Sequence, residues 1–135
     1  HVAEWVRAVG GKELIENGRL LEVTLAATGV TDDLLRNLVG LKHVRKLQLQ
    51  STEIGDPGLP QLANLTSLQE LDLSGTAISD AGLAHLAKLT GLRKLRLLHT
   101  QLTGSGLKHL QAIPLEELHL SDSPITDQGV ALDEG

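Results

Sequence analysis

Serine, histidine and aspartate are the residues through which this 135-residue chain could perform nucleophilic catalysis. Ser121 and His119 are predicted to point to the same face of the molecule, but the candidate carboxylate on that face, Asp72, lies two predicted strands away. A nucleophile, a base and a carboxylate must be joined by direct hydrogen bonds of about 2.6–3.2 Å. Two strand spacings exceed that reach, and the chain has no Gly-rich phosphate loop. We therefore expect a protein that is not an enzyme.

The six histidines suggest metal binding, but their spacing argues against it. His85 and His109 are predicted at equivalent positions on neighbouring short helices, which pack about 8–10 Å apart and cannot share one ion without distortion. Because the chain has no cysteine, thiolate ligands and disulfides are excluded. We expect neither a metal site nor any other cofactor.

Charge and hydropathy exclude two further classes of function. The chain has 12 basic and 17 acidic residues, a net charge of −5 and no basic run. Nucleic-acid binding through neutralisation of the phosphates is therefore disfavoured. No apolar stretch approaches the roughly 18 residues of a membrane-spanning helix, so membrane insertion is not expected.

The elements that position these side chains are revealed by a repeat of 24 residues, or 23 in its last step. Six sequence columns keep this step. The strand columns are Val23, Leu47, Leu71, Leu95, Leu118 and Leu25, Leu49, Leu73, Leu97, Leu120. The next two are Thr28, Thr52, Thr76, Thr100, Ser123 and Val30, Ile54, Ile78, Leu102, Ile125. The fifth is Asp32, Asp56, Asp80, Asp127, broken by Gly104, and it is followed by Gly58, Gly82, Gly106, Gly129, where Leu34 fills the first slot. A fixed period of this length indicates a solenoid.

Each unit combines two periodicities. Leu71-Asp72-Leu73 alternates apolar and polar residues, as a half-buried strand does, whereas Leu83, Leu86 and Ala87 recur as on one face of a short helix. Stacked units then form a parallel sheet on one side and helices on the other. We predict that each Asp caps the N-terminus of its own helix, and that the Thr hydroxyls link neighbouring turns into a hydrogen-bonded ladder.

The pattern L-x-x-L-x-L-x-x-T-x-I-x-D-x-G-L-x-x-L closely resembles the leucine-rich repeat family, in the form found in large bacterial proteins of that kind. The resemblance implies an α/β fold: a right-handed solenoid with the parallel sheet on its concave face and short helices on its convex face. We assign five repeats to residues 20–135, with boundaries 20–43, 44–67, 68–91, 92–114 and 115–135.

Residues 1–19 do not repeat and predict an N-terminal cap. Val2, Trp5, Val6 and Val9 share a helical face, which Gly10-Gly11 ends. Asn17-Gly18 is the favoured dipeptide of a two-residue β-hairpin. At the other end Asp133-Glu134-Gly135 replaces the expected apolar residue, so we expect an uncapped last repeat that is capable of self-association.

The outward strand positions form three columns on the predicted sheet. They are Glu22, Lys46, Glu70, Lys94, Glu117, then Thr24, Gln48, Asp72, Arg96, His119, and finally Ala26, Gln50, Ser74, Leu98, Ser121. The first column alternates in sign and predicts a ladder of ion pairs. The resemblance makes this face the expected ligand surface, with candidate contacts at Lys46, Gln48, Gln50, Glu70, Asp72, Lys94, Arg96, Leu98, His99, Glu117 and His119. Within that set, the patch that we expect to contribute most to partner binding consists of Lys94, Arg96, Leu98, His99 and His119.

Two functions remain open at this point. The first is a non-catalytic module that binds a protein or peptide on the concave sheet. The alternative is a structural spacer within a larger multidomain protein, with no ligand of its own.

Overall fold

The computed structural model describes residues 2–121 and 123. These residues form one sheet, and short helices lie on one side of it. With η denoting 3₁₀ helices, the elements in chain order are α1 (Val2–Ala8), β1 (Lys12–Glu16), β2 (Arg19–Thr24), η1 (Asp33–Leu38), β3 (Lys46–Gln48), η2 (Asp56–Leu62), β4 (Glu70–Asp72), η3 (Asp80–Leu86), β5 (Lys94–Arg96), η4 (Ser105–Leu110) and β6 (Glu117–His119). The predicted fifth helix and the uncapped end fall in residues 124–135, outside the described residues.

The sheet has the strand order β1-β2-β3-β4-β5-β6, with β1 antiparallel to β2 and every later pair parallel. Each parallel pair aligns residues one repeat apart, so Leu47 lies beside Leu71 and Leu71 beside Leu95. The structure thus confirms the solenoid and its step. Among the described residues, no helix is both long enough and apolar enough to cross a membrane.

The core lies between the sheet and the 3₁₀ helices and consists of the inward leucine, isoleucine and valine columns. In the third repeat, Leu73, Ile78 and Leu83 are completely buried. The helices are 3₁₀ helices, in which residues three apart lie on the same side, and both Leu83 and Leu86 are buried. Ala87, the third residue predicted for this face, follows the end of η3 and is only half-buried.

The N-terminal helix and hairpin cover the first repeat as predicted. Val6 is fully buried and Trp5 packs half-buried against the same core. Asn17 and Gly18 both have positive φ, 53° and 76°, which matches the right-handed twist of the two strands they join. An ion pair of 2.7 Å between Arg7 Nε and Glu13 Oε1 fastens α1 to β1.

The threonine column bonds within each turn rather than between turns. Each hydroxyl donates to the carbonyl three residues earlier: Thr28 to Leu25, Thr52 to Leu49, Thr76 to Leu73 and Thr100 to Leu97. The residue immediately before each threonine has a φ of 54–67°, so the chain reverses its direction there. These residues are Ala27, Ser51, Gly75 and His99. The predicted ladder is therefore wrong for the first three turns, and within the described residues it forms only where Thr100 Oγ1 lies 2.9 Å from Ser123 Oγ.

The glycine column is explained by the stacking of one repeat on the next. A Cβ at Gly58 or Gly82 would overlap the carboxylate of Asp32 or Asp56 in the preceding repeat, and a Cβ at Gly106 would lie 2.6 Å from the Asp80 carbonyl oxygen. Real Cβ atoms do not approach other atoms so closely, so only glycine fits these positions. In the first repeat the equivalent residue is Leu34, which packs half-buried against the core.

Candidate functional site

The alternating charges on the exposed face of the sheet form ion pairs along four strands. Glu70 lies between two lysines, with Oε2 3.7 Å from Lys46 Nζ and Oε1 3.7 Å from Lys94 Nζ. Lys94 Nζ is also 3.6 Å from Glu117 Oε2. These side chains are roughly half-exposed, so solvent screens the pairs and each contributes little to stability. No ion pair within the described residues joins Glu22 to Lys46, although the two are in register.

The second column places a restrained carboxylate beside an exposed guanidinium. Asp72 Oδ2 is 3.6 Å from Arg96 Nε, and Asp72 Oδ1 accepts a 2.9 Å hydrogen bond from the Ser74 N–H. The Asp72 side chain is only 16% exposed, whereas that of Arg96 is 51% exposed. Arg96 has five N–H donors, so the single contact to Asp72 leaves most of the guanidinium available to a ligand carboxylate. His119 lies opposite Arg96 in the register and is exposed.

These side chains surround a depression of about 190 Å³ on the exposed face of β3–β6, here called the sheet-face depression. It brings together eight of the eleven candidate contact residues: Lys46, Gln48, Glu70, Asp72, Lys94, Arg96, Glu117 and His119. They come from four repeats and reach one surface because parallel strands lie about 4.8 Å apart.

The other three candidates, Gln50, Leu98 and His99, lie beyond the ends of their strands. Leu98, predicted to point outward, is half-buried, and its N–H donates to Ser74 Oγ at 3.0 Å. His99 occupies the left-handed turn position common to all four repeats, so its backbone conformation is dictated by the turn. The side-chain oxygen of Gln50 is buried and has no hydrogen-bond partner within the described part of the chain.

Among its described residues, the sheet face does not bring His119 and Asp72 together as a catalytic triad requires. Asp72 is held by Arg96 on the neighbouring strand, and His119 is one strand further on. Within residues 2–121 and 123, no three side chains of His, Cys, Asp or Glu are grouped so as to hold a metal ion.

The three described aspartates of the repeat, Asp32, Asp56 and Asp80, hold successive repeats together, so they are not free carboxylates. For the three aspartates of this column that the structure describes, the predicted capping of each one's own helix is wrong, because η1, η2 and η3 have no side-chain cap hydrogen bond. Asp32 Oδ1 instead accepts from the Gly55 N–H at 2.8 Å, and Asp56 Oδ1 accepts from the Ser79 N–H at 2.9 Å. Gly55 and Ser79 are the N-cap residues of the next helices, so each carboxylate caps the helix of the following repeat.

Asp80 has the most complete set of such contacts. Its Oδ2 accepts from the N–H and hydroxyl of Thr103 at 3.0 and 2.6 Å, and its Oδ1 accepts from the N–H groups of Gly104 and Gly106 at 3.1 and 2.9 Å. Partial burial raises the pKa of a carboxyl group, but these hydrogen bonds outweigh it and hold the pKa of Asp80 below its ordinary value. Asp80 is therefore an ionised structural group at neutral pH.

A second cavity, of about 610 Å³, lies at the edge of the sheet where the strands begin, and residue-by-residue reasoning missed it. We call it the edge groove, and its polar side chains include Arg19, Lys42, His43, Arg45, Ser67, Gln69 and Arg93. Because the sequence contains no basic run, it gives only a weak indication of this groove. That indication is that Arg45 and Arg93 occupy the same position in repeats that are two units apart.

Comparison with known proteins gives the following matches. Residues 40–63, 64–87 and 111–132, together slightly more than half of the chain, match the family model with the description Leucine Rich repeat. A search of curated proteins found no match.

Among solved structures, the chain is similar to an internalin (inlF) from Listeria monocytogenes, with a TM-score of 0.58 and 19% sequence identity. The match covers 97% of this chain and 46% of the internalin, so the chain spans less than half of that protein's length. An internalin C2 (inlC2) from the same organism aligns with a TM-score of 0.42 and 22% identity, over 97% of this chain and 78% of that one. At the identity of the first match, the likeness shows the fold alone.

Proposed function

Because the chain belongs to the leucine-rich repeat family, we propose that it is a non-catalytic interaction module that binds a protein or peptide on the exposed face of β3–β6. The observation that carries this proposal is the sheet-face depression, around which four repeats place eight polar or charged side chains. The inward columns are nearly uniform because they must pack, whereas the outward residues differ from repeat to repeat. That difference makes the surface particular to this chain.

The charges of the depression indicate what kind of partner it suits. In the first column each lysine lies beside a glutamate, so a ligand carrying charges of only one sign gains little there. The guanidinium of Arg96, with His119 opposite and Lys94 on the same strand, offers donors for one carboxylate of a mixed polar segment. None of the described lining residues is Phe, Tyr or Trp, whereas interface hot spots are rich in Trp and Tyr. The contact is accordingly expected to be polar and of modest affinity.

Peptides selected from a random display library on the purified full chain would test this proposal. Affinities for the unaltered chain and for Arg96→Glu would be measured by fluorescence anisotropy. Lys88→Glu is the matched control, because Lys88 is equally an exposed cation but follows η3 on the helical side. Reversing the charge at Arg96 should weaken binding by about tenfold or more, the value of one charge-assisted hydrogen bond, and the control should bind normally.

Two outcomes would contradict the proposal. If the selected peptides bind Arg96→Glu as tightly as the unaltered chain, the sheet-face depression is not their site. If no peptide is selected that depends on this face, the alternative function of a structural spacer is favoured.

A further inference from the structure

The edge groove combines a peptide-sized cavity with a cluster of cationic side chains. Arg19, Lys42, Arg45 and Arg93 line it, and Glu16 is the one acidic residue among its described lining residues. Its volume of about 610 Å³ falls within the range of ligand-binding clefts. We propose that the edge groove binds a short, extended, carboxylate-rich segment of a partner protein.

Most of this positive charge is not neutralised within the molecule. Among the described residues, neither Arg19, Lys42 nor Arg45 takes part in an ion pair, and all three side chains are exposed. Arg93, at the far end, is 4.0 Å from Glu116 Oε2. Three unpaired cations on one concave surface repel one another and raise the local concentration of anions, in a chain whose net charge is −5. A bound carboxylate would relieve that repulsion and accept charge-assisted hydrogen bonds from the arginines.

The backbone beneath these side chains is held rigidly. The Arg45 carbonyl accepts hydrogen bonds from the N–H groups of both Gln69 and Glu70, at 2.7 and 3.0 Å. The Gln69 carbonyl does the same for Arg93 and Lys94, at 2.8 and 3.1 Å. Neighbouring repeats are thus locked together at this edge, so the positions from which the arginines project are set before any ligand arrives. Less ordering on binding means less entropy lost.

Dimensions favour an extended peptide over a small anion. The groove runs from the start of β2 to the residue that precedes β5, which is three strand spacings or about 14 Å. An extended chain covers that distance in about four residues. Because alternate side chains of such a chain point the same way, about 7 Å apart, two carboxylates of one segment could face the groove together.

The chemistry of the lining also distinguishes a peptide from a nucleic acid. Proteins that bind single strands provide aromatic side chains on which the bases stack. None of the described residues that line the edge groove is Phe, Tyr or Trp, and Trp5, the chain's one residue of these three types, lies in α1. The groove shares no lining residue with the sheet-face depression, so the two proposals stand on separate surfaces.

Fluorescence anisotropy with a labelled peptide of alternating Glu and Ala tests this proposal on the full chain. A peptide with Gln in place of Glu is the ligand control. Arg45→Gln should weaken binding of the Glu peptide by about tenfold, and added salt should weaken it further. Arg36→Gln is the matched protein control, because Arg36 is an exposed arginine of η1 that does not line the groove. Arg96→Gln should also leave binding unchanged, since it alters only the sheet-face depression.

Several results would overturn the proposal. One is equal affinity for the Glu and Gln peptides, and another is no binding of the Glu peptide even at low ionic strength. If Arg45→Gln binds as well as Arg36→Gln, the groove is not the site. Full displacement of the peptide by an equal concentration of inorganic phosphate would indicate a small-anion site instead. Tighter, Arg45-dependent binding of a labelled single-stranded DNA would indicate a nucleic-acid surface. Loss of binding in Arg96→Gln alone would assign the peptide to the sheet face.

Discussion

Replacing Asp80 with alanine should destabilise the protein more than the same change at any other described aspartate of its column. Asp80 accepts four hydrogen bonds from the next repeat, whereas Asp32 accepts one and Asp56 accepts two. The four donors are the N–H groups of Thr103, Gly104 and Gly106 and the Thr103 hydroxyl. Asp80→Ala would thus remove four side-chain hydrogen bonds that join the third and fourth repeats.

The expected magnitude follows from the donors left behind. Gly104 and Gly106 are buried, so their N–H groups would lose their acceptor without water to replace it. An unsatisfied buried donor costs about 1–3 kcal/mol. Because Thr103 is only half-buried and can reach solvent, we expect Asp80→Ala to lower the free energy of unfolding by about 3 kcal/mol in total.

A graded series serves as the internal control. Asp32→Ala loses only the bond from the Gly55 N–H and should cost about 1 kcal/mol, a typical value for one cap. Asp56→Ala loses the N–H and hydroxyl of Ser79 and should fall between the other two variants. The order Asp32, Asp56, Asp80 is the prediction, since it depends on the contacts and not on the residue type.

Urea denaturation followed by two probes measures these differences. Far-UV circular dichroism reports the whole chain, and the fluorescence of Trp5 reports the N-terminal cap, because it is the one aromatic residue. Coincident transitions would justify a two-state free energy for each variant. The reasoning is refuted if Asp80→Ala is no more destabilised than Asp32→Ala.

The lowered pKa of Asp80 adds a pH dependence with a definite sign. A carboxyl group whose pKa is lower in the folded state stabilises the fold fully above its unfolded pKa, about 3.9, and loses that effect as the pH falls through the folded value. Compared with Asp80→Asn, which does not titrate, the unaltered protein should hold a constant advantage in urea midpoint from pH 7 to pH 5. That advantage should shrink below about pH 4, and an advantage that grows on acidification would contradict the assignment.

Three further predictions follow from the repeat. Gly82→Ala should destabilise by about 2 kcal/mol or more because its Cβ would overlap the Asp56 carboxylate, whereas Gly29→Ala, with open space around it, should be tolerated in the same denaturation assay. Thr76→Val should cost about 1–2 kcal/mol, since it leaves a carbonyl without its hydroxyl partner, and a shift no larger than that of an exposed substitution would contradict this. Glu70→Gln should change stability by less than about 0.5 kcal/mol, with the difference vanishing in 1 M salt, because both of its ion pairs are half-exposed.

The architecture was predictable because it depends on local period and on packing. A 24-residue step in the leucine columns requires equivalent strands to lie side by side, and the structure pairs Leu47 with Leu71 and Leu71 with Leu95. The Asn17-Gly18 hairpin was equally predictable, because Asn-Gly is the dipeptide favoured where two consecutive residues have positive φ angles. The Lys46–Glu70–Lys94 ion pairs were also predictable, because the charges of the first outward column alternate in sign and the strand register places them side by side.

The hydrogen-bond partners of the polar side chains were not predictable from one repeat alone. An aspartate at a helix start suggests a cap for its own helix, but Asp80 reaches the donors of Gly104 and Gly106, 24 and 26 residues later. That choice depends on the offset between stacked turns, which the period does not specify. The threonine hydroxyls show the converse, since the left-handed residue before each of them makes the carbonyl of the same turn the nearer acceptor.

The amino-acid sequence by itself therefore determined the strand register, the inward columns and the N-terminal hairpin, because each rests on short-range periodicity or on the conformational preference of a single turn. Only the tertiary structure decided which groups meet across repeats. Arg19, Lys42, Arg45 and Arg93 are spread over three repeat lengths and form no basic run, yet they face one groove. Stacking at about 4.8 Å per strand converts that sequence separation into about 14 Å of space, and electrostatic interactions depend on the distance in space.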